Sequence, residues 1–116
     1  MYEVYKLPQG KIVFSSIAKD LSTGILCLNP HQELPRHSRP VVEQLVQMVG
    51  TCVMKLFEGD LIKEVTLQEN DVLTIPANQF HVHSNLTDQI SVTMWKFEGD
   101  ISAVIQKIRE DNEKIL

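Results

Sequence analysis

This sequence predicts an all-β barrel followed by one C-terminal helix, and three observations predict it. Short runs rich in Val, Ile, Leu and Phe recur along most of the chain, separated by Gly, Pro, Asn and Asp. Within some of those runs polar residues fall at every second position, which places them together on one face of a strand. After Gly99 the apolar spacing lengthens from two to between three and four, which marks a helix. The chain has 116 residues, the length of one domain spanning 1–116. Such a chain buries roughly two-thirds of its unfolded surface, enough for one core. The barrel is expected over about 2–98 and the helix over about 101–114.

Taken in order, residues 2–6 read as a short edge strand, and Pro8-Gln9-Gly10 as a turn. Lys11 to Ile17 and Thr23 to Leu28 are the next strands, with Lys19-Asp20 between them and Asn29-Pro30 after them. Pro30, Pro35 and Pro40 make the following segment a restricted loop, since proline removes a backbone donor and fixes φ. Val41 to Val49 and Thr51 to Phe57 are strands bent apart at Gly50. Glu58-Gly59-Asp60 turns the chain back into Leu61 to Leu67, giving a hairpin. Val72 to Ile75 is stopped by Pro76. Phe80 to Ser84 and Ile90 to Phe97 complete the strands. Ile101, Val104, Ile105, Ile108 and Ile115 then form one apolar helical stripe, with Asp100 or Ser102 placed to cap its start. That stripe needs a cover, either the outside of the barrel or a partner chain.

Composition excludes several classes. Hydrophobic residues make up 43 % and charged residues 22 %, as in ordinary soluble domains. The net charge is −4 and no basic patch is visible, which argues against a nucleic-acid surface. No apolar run approaches the roughly 18 residues of a membrane span, and the start does not read as a signal peptide. Cys27 and Cys52 lack metal or redox spacing and read as core residues of a reduced, cytoplasmic protein. Met48, Met54, Met94, Trp95 and Phe97 read as packing residues.

The chemistry-bearing residues lie in two stretches. His37, Arg39 and Glu43 share the parity of one strand face, and His81 and His83 share another. Glu43, Leu45, Gln47 and Val49 form a mixed face, which fits the lining of a small barrel around a polar pocket. His31, in the proline-rich loop, reads as solvent-exposed. There is no Ser-His-Asp order, no glycine-rich phosphate loop and no CxxC pair.

Two stretches carry a family resemblance. The first is His37-Ser38-Arg39, three residues, Glu43, six residues, Gly50. The second is Asn70, five residues, Pro76-Ala77-Asn78, two residues, His81, three residues, Asn85. Together they resemble the two motifs of the cupins, small jelly-roll barrels of six to eight strands. The motifs cover about residues 31–85, and the strand pattern extends the likeness to the whole chain. Three departures stand out among the glycines, because the family's leading glycine falls on His31 and its second-motif glycines on Asn70 and Asn78. Asparagine tolerates positive φ better than most residues, so these turns can persist. A fourth departure is chemical: Arg39 stands where the family has its second metal-binding histidine, in a full set of three histidines and one glutamate.

The resemblance implies a metal held by His37, Glu43 and His81, a donor set suited to iron, zinc, manganese or nickel with coordination positions left open. His83, on the same face as His81, reads as a fourth ligand or an outer donor, and Gln47 reads as pocket lining. Arg39 suits a carboxylate or phosphate in bidentate fashion, and so points to a small anionic molecule. The other reading of these side chains is a metal-free polar cluster with Arg39 paired to Glu43. Two functional classes stay open. One is a metal-dependent enzyme, a dioxygenase, isomerase or decarboxylase, acting on a small organic acid or sugar. The other is a non-catalytic ligand-binding or sensor barrel without metal. A homodimer is implied by the resemblance and by edge strands near residues 2–17.

Overall fold

Burial alternates along most strands, and that alternation assembles them into two facing antiparallel sheets. The computed structural model describes residues 2–116, and Met1, where the expected domain begins, lies outside them. The strands are β1 (Glu3–Leu7), β2 (Gly10–Ile17), β3 (Leu21–Leu28), β4 (Val42–Val49), β5 (Cys52–Glu58), β6 (Leu61–Leu67), β7 (Val72–Ile75), β8 (His81–Ser84) and β9 (Ser91–Glu98), followed by helix α1 (Ser102–Asp111) and strand β10 (Glu113–Lys114). The larger sheet runs β10-β1-β2-β3-β9-β4-β7 and the smaller β6-β5-β8. Crossovers between non-neighbouring strands give a jelly-roll barrel. No described helix is long and apolar enough to cross a membrane.

The core fills the space between the inner faces. Phe14, Leu26, Leu45, Trp95 and Phe97 come from the larger sheet, and Cys52, Met54 and Leu56 from the smaller. Gly24 pairs with Trp95 across β3 and β9, and a Cβ at Gly24 would fall 2.2 Å from the indole. The missing side chain lets the ring lie against the neighbouring strand. Both cysteines are free, and burial pushes the Cys52 thiol up to about 11, which makes it an inert core group. Met54 is fully buried as expected. Met48 and Met94 are not, because they fall on the outer parity of β4 and β9.

The three non-glycine residues with positive φ are His31 (φ 58), Asn70 (φ 75) and Asn78 (φ 67) among the described residues. These are the three positions where the motif glycines are replaced. The turns keep the left-handed backbone that the pattern demands, with other side chains accepting it.

Several sequence expectations are corrected. Strand β1 is not an edge, since Tyr5 pairs with Ile12 on one side and Lys114 on the other. The helix ends at Asp111, not near residue 114: Asn112 is extended (φ −132), its side-chain amide caps Ile108 O, and Ile115 N bonds Val4 O. Val49 leaves the inner face because β4 carries a bulge between Gln47 and Val49, where one extra residue shifts the parity. Finally, most of the helical stripe packs into the barrel's core rather than on its outside. Ile101 and Ile105 are buried in the protein's own core, and Val104 and Ile108 pack beside them. Neither expected residue is the cap: Ile101 holds that position without a side-chain hydrogen bond, and Asp100, one residue earlier, accepts the Ser102 N–H at 2.9 Å.

Candidate metal centre

The loop before β4 and the short strand β8 bring the histidines together. His37 and His81 form an antiparallel bridge, with His37 N to His81 O at 3.1 Å and His81 N to His37 O at 2.8 Å. Residues so paired present their side chains on the same side, and His83, two positions along, joins them. The loop is held from outside as well. The Arg36 guanidinium lies 4.2 Å from the Phe57 ring centroid and 4.8 Å from that of Phe80. Glu43 arrives from the opposite sheet, on β4 between Ile75 of β7 and Phe97 of β9.

The ring centroids of His37 and His81 lie 4.4 Å apart, those of His81 and His83 5.3 Å, and those of His37 and His83 5.5 Å. One side-chain nitrogen from each of the three comes within 4.8 Å of the others. His37 Nδ1 contacts Pro35 O at 2.9 Å and His81 Nδ1 contacts Gln79 O at 2.9 Å. A carbonyl only accepts, so each Nδ1 carries the proton and each Nε2 presents a lone pair. Carbonyl partners of this kind orient metal-bound histidines and set their tautomer.

Three buried atoms at this cluster have no hydrogen-bond partner: Glu43 Oε1, His81 Nε2 and His83 Nδ1. His81 Nε2 and Glu43 Oε1 are 3.2 Å apart, within ion-pair distance, yet their geometry is not that of a hydrogen bond. Two donors sharing an ion at bond lengths of about 2.1 Å stand about 3.0 Å apart at a right angle and about 3.4 Å apart at a tetrahedral one. The His81–Glu43 separation falls between these values, so the residues present fit a divalent ion. The histidine nitrogens are more loosely spread and would contract around one.

Electrostatics favour the neutral imidazoles a metal requires. Burial, with the charge of Arg39, lowers His37 to about 3. His83 is held well below its ordinary value by the same desolvation, with Arg39 adding to it. Arg39 is itself lowered by burial and raised again by the nearby charge of Glu43.

A partly open cavity of about 400 Å³ adjoins the cluster. His37, Arg39, Glu43 and His83 form its polar end. Its walls are apolar, from Ile12, Leu26, Trp95 and Phe97 of the larger sheet and from Val104 and Ile108 of α1. The helix therefore closes the barrel mouth.

The sequence-predicted residues divide accordingly. His37, Glu43, His81 and His83 converge. Arg39 faces the cavity and makes no ion pair with Glu43 or any other described residue, contrary to the paired reading. Gln47 does not line the cavity. Its amide donates to Val49 O and Ser91 Oγ, and its carbonyl accepts from Thr93 Oγ1, so it knits β4 to β9 as a buried structural residue. His31 contacts Asp88 at the surface, as an exposed loop histidine. The cavity wall from α1 escaped the sequence reading. Its signal was the stripe Val104-Ile108, which the pattern assigned to the barrel's outside or a partner chain and not to the cavity.

No protein-family model matches the chain, and no curated protein sequence matches it. Solved structures do. Oxalate decarboxylase of Bacillus subtilis, described with Mn(II) centres, superposes with a TM-score of 0.73 at 21 % identity, over 81 % of this chain and 27 % of that one. An oxalate oxidase gives 0.67 at 16 % identity, over 71 % and 43 %. The conserved SPY1581 protein of unknown function from Streptococcus pyogenes gives 0.64 at 16 % identity, over 74 % and 70 %. The fold is that of a small cupin. The chain spans 27 % of the decarboxylase and 43 % of the oxidase it resembles, and at these identities the likeness establishes the cupin fold alone. Within this barrel His83 stands beside His37 and His81, so three histidines cluster, with Glu43 touching the group at His81, although Arg39 occupies a histidine position of the motif.

Proposed function

We propose that this cupin binds a divalent transition metal at His37, His81, His83 and Glu43 and takes a small organic anion against Arg39. The observation that carries the metal is the facing pair of buried atoms, His81 Nε2 and Glu43 Oε1, 3.2 Å apart and without a hydrogen bond between them. Unpaired buried acceptors cost roughly 1–3 kcal/mol each, and a cation relieves both at once. His83 supplies the third imidazole that Arg39 displaces. The Mn(II) centres of the structurally similar oxalate decarboxylase support the choice of a divalent ion.

When bound, such an ion would act as a Lewis acid on an oxygen of the ligand. The chain's own residues do the rest. Arg39 offers a fixed, planar pair of donors to an anionic group. The Pro35 and Gln79 carbonyls hold the two imidazoles in register. Helix α1 and the aromatic wall narrow the way to the polar end. Oxalate oxidase with bound glycolate, a structural neighbour, supports a small acid as ligand. With three histidines and a carboxylate converging, metal-dependent chemistry of the dioxygenase or isomerase type is favoured over a metal-free sensor barrel.

The test is metal content of untagged protein, loaded in turn with manganese, iron, zinc and nickel, beside His81→Ala and His83→Ala. One equivalent in the parent, lost in both variants, is the expected result. Metal retained by His83→Ala would leave the three-donor set of His37, Glu43 and His81. No metal in the parent would sink the reading.

We also propose a homodimer through the outer face of the larger sheet, in a cytoplasmic protein. Val13, Ile25, Met94, Val46 and Val72 are successive cross-strand partners there, and so form one apolar row across β2, β3, β9, β4 and β7.

A further inference from the structure

The polar end of the cavity is small and its walls are large. Protein interiors rarely keep voids bigger than a water molecule, because unfilled apolar space loses its contacts. A cavity of about 400 Å³, walled by Ile12, Leu26, Trp95, Phe97, Val104 and Ile108, is shaped for an occupant with an apolar body. Two-carbon acids would fill a small part of it. Sugars would set most of their hydroxyls against the aliphatic and aromatic walls, with few side-chain partners among Gln9, Asn112 and the Trp95 N–H, at a cost of roughly 1–3 kcal/mol for each group left unpaired.

The charges on the lining narrow the choice further. Arg39 is the cationic residue on the cavity wall and makes no ion pair among the described residues, although the Glu43 carboxylate is near enough to act on its charge. Of the lining acids, Asp111 pairs with Lys107 at 2.9 Å, and Glu43 stands 3.2 Å from His81, where the proposed metal would take up its charge. A cation without an ion pair beside a large apolar space calls for one anionic group on an apolar body.

We infer that the ligand of this cavity is an amphipathic monocarboxylate, with its head at Arg39 and its aliphatic or aromatic body between α1 and the Trp95–Phe97 wall. This rests on the proposed anion site at Arg39 and stands apart from the metal. It assigns specificity to α1, since Val104 and Ile108 form the wall opposite the sheet.

The protein carries its own reporter, because Trp95 is its single tryptophan and lines the cavity. Trp95 fluorescence is titrated with acetate, butyrate, hexanoate, octanoate and phenylacetate, with hexanol, and with oxalate and glucose 6-phosphate, on chelated and on zinc-loaded protein. Affinity is expected to rise about fourfold for each added methylene until the cavity is full. Hexanoate should bind at least tenfold more tightly than hexanol in the parent. Arg39→Leu should abolish that preference while keeping the dependence on chain length. Ile108→Trp should weaken octanoate more than butyrate. Oxalate or glucose 6-phosphate binding more tightly than hexanoate would overturn the inference. So would a flat response to chain length, or an acid preference that survives Arg39→Leu. Failure of the metal site alone is read separately: His81→Ala would lose zinc and still show the chain-length series.

Discussion

His81 Nε2 and Glu43 Oε1 face each other across 3.2 Å in a buried site without sharing a hydrogen bond. The proton of His81 lies on the other side of the ring, given to Gln79 O. A lone pair and a carboxylate oxygen thus oppose one another. Glu43→Gln supplies a donor at the same place and removes a buried charge. The expected outcome is a metal-free protein more stable by about 1 kcal/mol, the worth of one good hydrogen bond. Metal affinity should fall tenfold or more, as for loss of a donor or its close support. Urea denaturation in chelator and a zinc titration give the two readings. Unchanged zinc affinity would remove Glu43 from the centre.

Acid should weaken the metal-free protein, and the sign follows from the imidazoles. His37 is lowered from 6.5 to about 3, chiefly by burial, and His83 is lowered well below 6.5 for the same reason. Above pH 6.5 these rings are neutral in both folded and unfolded chains and contribute no pH dependence. Below it the unfolded chain takes up protons that the folded one refuses, so stability falls as pH drops from about 6.5 toward 3. Each histidine can account for at most about 1.4 kcal/mol per pH unit. Urea midpoints in chelator at pH 7, 5.5 and 4.5 should decline, and His83→Gln should flatten the decline. Equal slopes in parent and variant would show that His83 does not carry it.

The apolar row on the larger sheet gives a test of the proposed dimer. Met94 sits at its centre, between Ile25 and Val46, and is more than a third exposed, at 39 %. A stable interface buries roughly 800 Å² on each partner. Met94→Lys puts a charge at the middle of such a contact. Sedimentation equilibrium is expected to give a dimer for the parent and a monomer for the variant, with the same circular dichroism. A monomeric parent at tens of micromolar would count against this face.

Much of the barrel was legible because strand spacing and turn chemistry are local. The bounds of β5 to β9 follow alternating runs between Gly, Pro and Asn. Motif spacing put Asn70 and Asn78 at glycine positions where positive φ was expected, and His31, at the third such position, adopts it as well. Asn85 was legible as a motif residue but not as a clamp. Its buried amide donates to Leu28 O, Asn29 O and Gln89 O, partners 57, 56 and 4 residues away that only the fold brings together. The bulge at Gln47–Val49 was hidden for a similar reason, since register depends on the neighbour β9 and not on β4 itself. Gln47 looked like pocket lining because parity put it beside Glu43. Its hydrogen bonds to Ser91 and Thr93 come from 44 and 46 residues away. The helix followed its period but not its destination, because an apolar stripe states that it is covered and not by what.

That destination rests on a tether at the far edge of the larger sheet. Arg109 of α1 grips Glu3 of β1 with two hydrogen bonds, Nε to Oε1 at 3.0 Å and an Nη to Oε2 at 2.7 Å. Tyr5 donates to the same carboxylate at 2.8 Å. The arginine beside Glu3 holds its carboxyl below the ordinary 4.5, so this contribution is present above that pH and is lost as pH falls through the lowered value. The pair is only part-buried, with side chains 34 % and 27 % exposed, which limits its worth to about 1 kcal/mol. Arg109→Leu should therefore leave the barrel folded while freeing α1. Hydrogen exchange should quicken at the amides of α1 and of residues 113–116, which pair with β1, and stay unchanged in β4 and β9. Because Val104 and Ile108 wall the cavity, hexanoate should also leave the variant faster than the parent. Exchange that quickens evenly across both sheets would mean that the pair stabilises the whole barrel and not the helix over its mouth.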